Sequence, residues 1–186
     1  PLLPLASLPQ LEFFLDIDGW DKDNLDIDRV CRWLIAFSEA DPALVGRIIS
    51  EADESLVVHL VSRLVFIYKN DESADPRYWP PDRAVTTIDS TYQIEAKEHT
   101  PVEAFDALHE ALKILRARST HAFEALLEQV MWSIPAEMEQ QAYESRASRL
   151  AEKGFPELGE SLEVWAAGAE PLRELRARLK QKAVQA

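Results

Sequence analysis

Glycine is scarce in this chain, with five residues among 186. A doubly wound α/β sheet with phosphate-binding loops needs more of it at its strand-to-helix turns, so that class is set aside. A single cysteine, Cys31, excludes an intrachain disulfide and leaves no sign of an oxidising compartment. It stands in RVCRWLIAF, an apolar helical run, where a buried, inert thiol is expected. No apolar run approaches the roughly 18–20 residues that cross a bilayer, so no membrane span is expected. Positive charge is short as well: 20 Lys and Arg stand against 33 Asp and Glu, a net charge of −13. That balance repels phosphate backbones, and no nucleic-acid partner is expected. The one basic concentration, from Arg173 to Lys182, is interleaved with Glu170 and Glu174 and reads as a solvated helix face. The opening PLLPLASLPQ has neither a basic leader nor a long apolar core, so it does not read as a signal peptide. It also lacks methionine, and the chain is expected to be a piece of something longer.

Common catalytic signatures are missing too. The sequence holds no HExxH, GxSxG, P-loop or CxxC. Of its four histidines, His59 lies in the most apolar helical stretch and reads as a satisfied core residue. His109 and His121 fall on consecutive helices, where they could face each other. Glu137, Glu139 and Glu144 share a helix with Arg146 and Arg149, with which they are expected to pair.

What the chain does have is helical periodicity, with a hydrophobic content of 47%. Asp26, Asp41 and Asp53 each precede an apolar 3.6-period run, as N-caps do, and Pro42 suits a first helical position. LVVHLVSRLVFIY, from Leu56, is a helix whose β-branched second half is ambiguous between helix and strand. Pro76, Pro80 and Pro81 make 70–82 a loop. In it Tyr78 and Trp79 form an aromatic tip that either anchors a partner or pins its own loop. AVTTIDSTYQIEA reads as a β-hairpin around Asp89-Ser90; two strands alone are marginal, so it should pack on helices or pair with a further segment. Thr100-Pro101-Val102-Glu103 reads as a capping box opening the next helix. Helices then follow from Ser119, Ser133, Phe155 and Glu170, with Gly154 stopping the one from Ser133.

Six aspartates lie in LDIDGWDKDNLDIDR, at positions 16, 18, 21, 23, 26 and 28. Three readings compete. FFLDIDGW resembles the first motif of haloacid-dehalogenase phosphatases, an apolar strand followed by Asp-x-Asp-Gly, with Asp16 as nucleophile and Asp18 as general acid. Against it stand Trp20 after the glycine and the want of alternating βα units. As a cation loop the run fits no EF-hand register, yet Asp16, Asp18, Asp21 and Asp23 could share a hydrated Mg²⁺ or Ca²⁺. In the third reading the run is a connection between helices: Asp26 caps, Asp28 favours the positive helix end, Gly19 permits the reversal, and Trp20 and Leu25 plug into the core. This third reading is preferred, and no cofactor is then expected.

Four stretches, 15–34, 53–56, 85–96 and 137–165, resemble in order an uncharacterised bacterial family catalogued as a domain of unknown function. Its helical part is similar, more distantly, to the cytosolic N-terminal domain of the magnesium transporter MgtE and to the helical units of the flagellar switch protein FliG. The resemblance implies a superhelical array that binds partners or regulates, with members longer at both ends, and it carries over no catalytic residue.

The expected architecture is therefore mostly α: a helical array in two sub-clusters, 1–69 and 100–186, joined by the proline-rich loop and small hairpin of 70–99. The expected role is a non-catalytic binding or scaffold module of a larger cytoplasmic bacterial protein, its partner another protein or the remainder of its own chain. An acidic regulatory domain for a divalent cation is the alternative, and a phosphohydrolase using Asp16 and Asp18 a second one. Oligomeric state is left open.

Overall fold

A computed structural model of the chain describes residues 3–70, 84–87 and 89–155. The loop tip with Tyr78 and Trp79 and the helices expected from Phe155 and Glu170 lie outside those residues. The fold is mostly α. After a 3-10 turn at Leu3–Leu5 come α1 (Leu8–Asp18), the short strands β1 (Trp20–Asp21) and β2 (Asn24–Leu25), α2 (Ile27–Ala40), α3 (Pro42–Glu51) and α4 (Glu54–Leu64). Three strands follow, β3 (Val65–Lys69), β4 (Ala84–Thr86) and β5 (Tyr92–Ala96), then α5 (Val102–Arg118), α6 (Thr120–Trp132) and α7 (Pro135–Glu152).

The helix starts are set by side chains reaching into their own first turn. Asp26 Oδ1 accepts from the Arg29 N–H at 3.1 Å, Asp41 from Ala43 at 2.9 Å and Asp53 from Leu56 at 3.1 Å. Ser119 does the same for α6, accepting from Ala122 at 3.1 Å. Each such cap satisfies an otherwise orphaned N–H and contributes about 1 kcal/mol. Thr100 departs from the capping box expected of it. Its buried hydroxyl donates to the Leu64 carbonyl at 2.7 Å, and Pro101 takes the cap position. The hydroxyl is drawn away because the C-terminal end of α4 leaves that carbonyl without a helical partner; it accepts from the Thr100 hydroxyl and from the Lys97 N–H at 3.0 Å.

The apolar stretch from Leu56 divides at Leu64. Val65–Lys69 is a strand, because β5 offers it a ladder from Val65↔Ala96 to Lys69↔Tyr92. The β4–β5 hairpin thus gains a third strand, in the order β3-β5-β4, and is no isolated pair. Tyr92, Ile94 and Ala96 turn inward while Phe66 and Tyr68 stay exposed, the alternation of a sheet covered on one face. Glu128 of α6 accepts from the Tyr92 hydroxyl at 3.0 Å and from Lys69 Nζ at 2.5 Å, fastening that face to α6.

Residues on both sides of the hairpin contribute to one core running from Leu11 to Ala142, within a compact unit that covers Pro1–Arg146. The groups 1–69 and 100–146 meet there because α3 and α2 lie on α5 and α4 lies on α6. Contact between α3 and α5 is close: a Cβ on Gly46 would stand 2.9 Å from Ile114 Cδ1. A second unit covers Ala147–Ala186. In its described part α7 stops at Gly154, whose φ of +83° suits glycine, and Phe155 N–H returns to the Leu150 carbonyl at 2.9 Å. No helix among the described residues is long and apolar enough to cross a membrane.

His59 is buried as expected, at 2% exposure, but it is not satisfied: neither ring nitrogen has a hydrogen-bond partner among the described residues. Cys31 is buried and free, and burial followed by the Asp28 charge pushes its thiol up to about 11, so it is protonated and inert near neutrality.

Candidate functional site

The aspartate run folds as the connection between α1 and α2, with a two-strand ribbon at its centre. FFLDID is the last part of α1 and not a strand, so the strand-borne geometry of the phosphatase motif is not formed. β1 and β2 pair as Trp20↔Leu25 and Asp21↔Asn24, leaving Lys22 and Asp23 as the turn. Trp20 and Leu25 are buried, the plugs that periodicity suggested. Gly19 has an ordinary φ of −78°, so it does not serve by conformational freedom. It serves by size: a Cβ there would lie 2.5 Å from the Leu15 carbonyl oxygen. The left-handed position is Lys22, at φ 58°.

Two arginines hold this connection, and they grip carbonyls. Arg29 Nη1 donates to the Trp20 carbonyl at 3.3 Å and to that of Asp18 at 3.5 Å, while its Nε pairs with Asp26 at 3.0 Å. Arg146, on α7, donates from Nε to the Asp16 carbonyl at 2.7 Å and from Nη1 to that of Lys22 at 3.2 Å, and its guanidinium lies 5.2 Å from the Trp20 ring centroid. A planar guanidinium fork suits two converging carbonyls in this way. Since Lys22 is exposed and contributes its backbone only, Lys22→Gly is expected to raise stability by about 0.5–1 kcal/mol by relieving the left-handed conformation. Urea denaturation checks it; an unchanged midpoint would mean the turn is unstrained.

The four carboxylates considered for a cation go different ways. Asp16 is fully buried in α1. Asp18 accepts from the Trp33 indole N–H at 2.9 Å, and that ring stacks on Phe14 with centroids 5.2 Å apart. Asp23 accepts from the Asn24 amide at 2.9 Å, and Asp21 is exposed on β1. Among the described residues no three His, Cys, Asp or Glu side chains are grouped to hold a metal ion.

A different place concentrates shape and chemistry. Between the inner face of β4–β5 and the α5–α6 pair lies a cavity of about 430 Å³. Val85, Ile94, Leu112 and Phe123 make its apolar wall; His109, Lys113, Arg116 and the hydroxyls of Thr86, Thr87 and Thr120 edge it. The three basic side chains recur at intervals of four and three along α5 and so share one face. Their charges are matched. Lys113 pairs with Glu110 at 2.6 Å, and Arg116 with Asp89 at 2.8 Å while lying 5.7 Å from the Phe123 centroid. Asp89 is itself fixed by the hairpin: it accepts from Thr87 Oγ1 at 2.6 Å and from the Thr91 N–H at 3.1 Å. These bonds, Thr87 first, and then Arg116, hold its carboxyl below the usual range. His109 stacks on Phe105 at 6.3 Å, and burial, then the Lys113 charge, lowers its pKa, so its ring is neutral near pH 7. His121 is exposed on α6. The alternation of 85–96 and the spacing of 109, 113 and 116 are the sequence signals of this groove, but they lie on segments that only the tertiary fold brings together.

Fold and groove together define a mostly helical protein with a small antiparallel sheet against its α5–α6 pair. The chain belongs to the family of unknown function DUF6178, whose family model matches residues 1–185. No curated protein and no solved structure matches the chain. The more distant likeness to MgtE and FliG is therefore not shown.

Proposed function

We propose that this chain is a non-catalytic protein-binding module of a cytoplasmic bacterial protein, and that the groove beside α5 receives an apolar side chain of its partner. The observation that carries this reading is the groove itself: a concavity of about 430 Å³ with an apolar wall and a rim whose cations are already paired. Rim charges held in pairs supply orientation and solubility, while an apolar anchor entering a preformed pocket supplies affinity. The Thr86 and Thr120 hydroxyls offer hydrogen bonds to the partner's backbone beside that anchor. Support for a reducing compartment is the single buried, protonated Cys31.

Ala117 is exposed and lines the groove, so Ala117→Trp is expected to fill it without disturbing the core. The measurement is a paired pull-down from cells of the source organism. Wild type should recover a partner that Ala117→Trp loses by roughly tenfold or more, the effect of removing an interface hot spot. Equal recovery by both, with the variant folded by circular dichroism, would remove the groove from the interface. Because Cys31 is buried, Ala117→Cys gives a unique labelling position for a polarity-sensitive dye, and the recovered partner should shift its emission to the blue.

A further inference from the structure

A second cavity, sharing no lining residue with the groove beside α5, surrounds the unsatisfied histidine. It measures about 360 Å³ and lies among the C-terminal end of α4, β3, and the junction of α6 with α7. Neutral imidazole carries one donor and one acceptor, and at 2% exposure neither His59 nitrogen has a partner among the described residues. Burying such a ring unsatisfied costs a few kcal/mol, and buried polar groups in folded proteins are met by protein, water or ligand. The space lies in the range of small-molecule sites and far exceeds one water. Val130, Met131 and Met138 give it an apolar side. Arg63 and Lys97 line it too, against one carboxylate among the described residues, Glu139, so their combined charge is net positive within an acidic chain. Arg63 forms no ion pair with another described residue. Lys97 spends one donor on the Ser62 carbonyl at 2.5 Å and lies 4.8 Å from the Phe66 centroid. Its pKa is lowered by burial and then by the Arg63 charge, the effect of a second cation close by.

We propose that this cavity binds a small amphipathic monocarboxylate, its carboxylate at Arg63 and Lys97, its carbon chain against Met131 and Met138, and a hydroxyl on that chain satisfying His59. Each feature of the ligand answers one feature of the wall: net positive charge, apolar surface, and an unpaired ring nitrogen. A ligand without the hydroxyl leaves the ring orphaned and is bound less tightly for that reason.

The test titrates the full 186-residue chain with 3-hydroxyhexanoate, hexanoate and 1-hexanol, following the His59 ring nitrogens by ¹⁵N NMR and the melting temperature. 3-Hydroxyhexanoate is expected to shift the His59 resonances and, at ten times its Kd, to raise the melting temperature by about 4 °C. Hexanoate should bind roughly tenfold more weakly, and hexanol more weakly again. Arg63→Gln should weaken both acids by about tenfold or more, and His59→Phe should abolish the preference for the hydroxy acid. Should His59→Phe not fold, the wild-type titration and Arg63→Gln decide alone. If none of the three probes moves the His59 resonances at 10 mM, the cavity holds water only and the proposal fails. It fails equally if hexanol binds as tightly as 3-hydroxyhexanoate, since the site would then be a plain apolar void.

Discussion

Arg146→Ala is expected to lower the unfolding free energy by about 3 kcal/mol. Three contacts go at once. The Asp16 and Lys22 carbonyls lose charge-assisted donors at 2.7 and 3.2 Å, and the Trp20 ring loses a cation 5.2 Å from its centroid. Hydrogen bonds to a charged donor contribute about 1.5–3 kcal/mol each, less when half exposed, and a cation over a partly buried ring about 1 kcal/mol. Arg146→Lys should recover less than half, because an ammonium cannot reach two carbonyls in fixed directions. Arg32→Ala, at an exposed position on α2, should change stability by less than about 0.5 kcal/mol and is the control. Urea denaturation gives the energies. Amide exchange locates them: protection of residues 20–25 should fall in Arg146→Ala beyond the global loss. If those amides keep their relative protection, Arg146 does not hold the ribbon and its role has been misread.

This prediction also gives the aspartate run a different meaning. A dense row of carboxylates invites a search for something positive to bind them. What holds the run here is the chain's own pair of arginines, which reach its backbone: Arg29 takes the carbonyls of Asp18 and Trp20 beside its ion pair with Asp26, and Arg146 takes those of Asp16 and Lys22. The carboxylates serve separately, Asp26 as a cap and Asp18 as acceptor for an indole, with Asp28 in the first turn of α2. Acidic composition keeps the connection hydrated on its outer side, while two aromatic-aliphatic plugs and two guanidinium forks fix its inner side.

How legible each feature was follows from how far its cause lies along the chain. The caps at Asp26, Asp41 and Asp53 act on residues two or three positions away, so a short window contains the whole interaction. Val65–Lys69 stayed ambiguous because VFIYK suits a buried helix or a strand, and β5, nearly thirty residues on, makes the choice. Thr100 has the sequence of a capping box, yet a carbonyl 36 positions earlier outbids the local helix for its hydroxyl. Arg146 and Asp16 are 130 positions apart, and nothing in either neighbourhood points to the other. The groove beside α5 was half legible: its strand alternation and its helix stripe are each readable, but not their apposition. That His59 is buried could be read from the apolar helix around it. That it lacks partners could not, because the atoms that fail to reach it belong to β3, α6 and α7.

The same histidine should make the protein acid-sensitive in a way that one substitution removes. Burial first, then the charges of Arg63 and Lys97, push the His59 pKa from 6.5 down to about 4; Glu139 is the one carboxylate on the cavity wall among the described residues. In the unfolded chain His59 takes up its proton near pH 6.5, whereas the folded protein resists doing so until about pH 4. Between those values the unfolded state binds more protons, so stability falls as pH falls through that window. The loss attributable to His59 is about 2.5 kcal/mol by pH 4.5 and about 3 kcal/mol below both values. His59→Phe keeps an aromatic ring against Trp20, whose centroid lies 6.0 Å away, and removes the titrating group. Carboxylates elsewhere titrate alike in both proteins and cancel in the comparison. The stability of wild type relative to His59→Phe, measured by urea denaturation from pH 7.5 to 4.5, should therefore decline by about 2.5 kcal/mol. The His59 ring protons should show a folded-state midpoint near pH 4 by NMR. Parallel pH profiles for the two proteins, or a midpoint near 6.5, would mean that the ring nitrogens are satisfied in the folded protein and that burial does not hold His59 neutral.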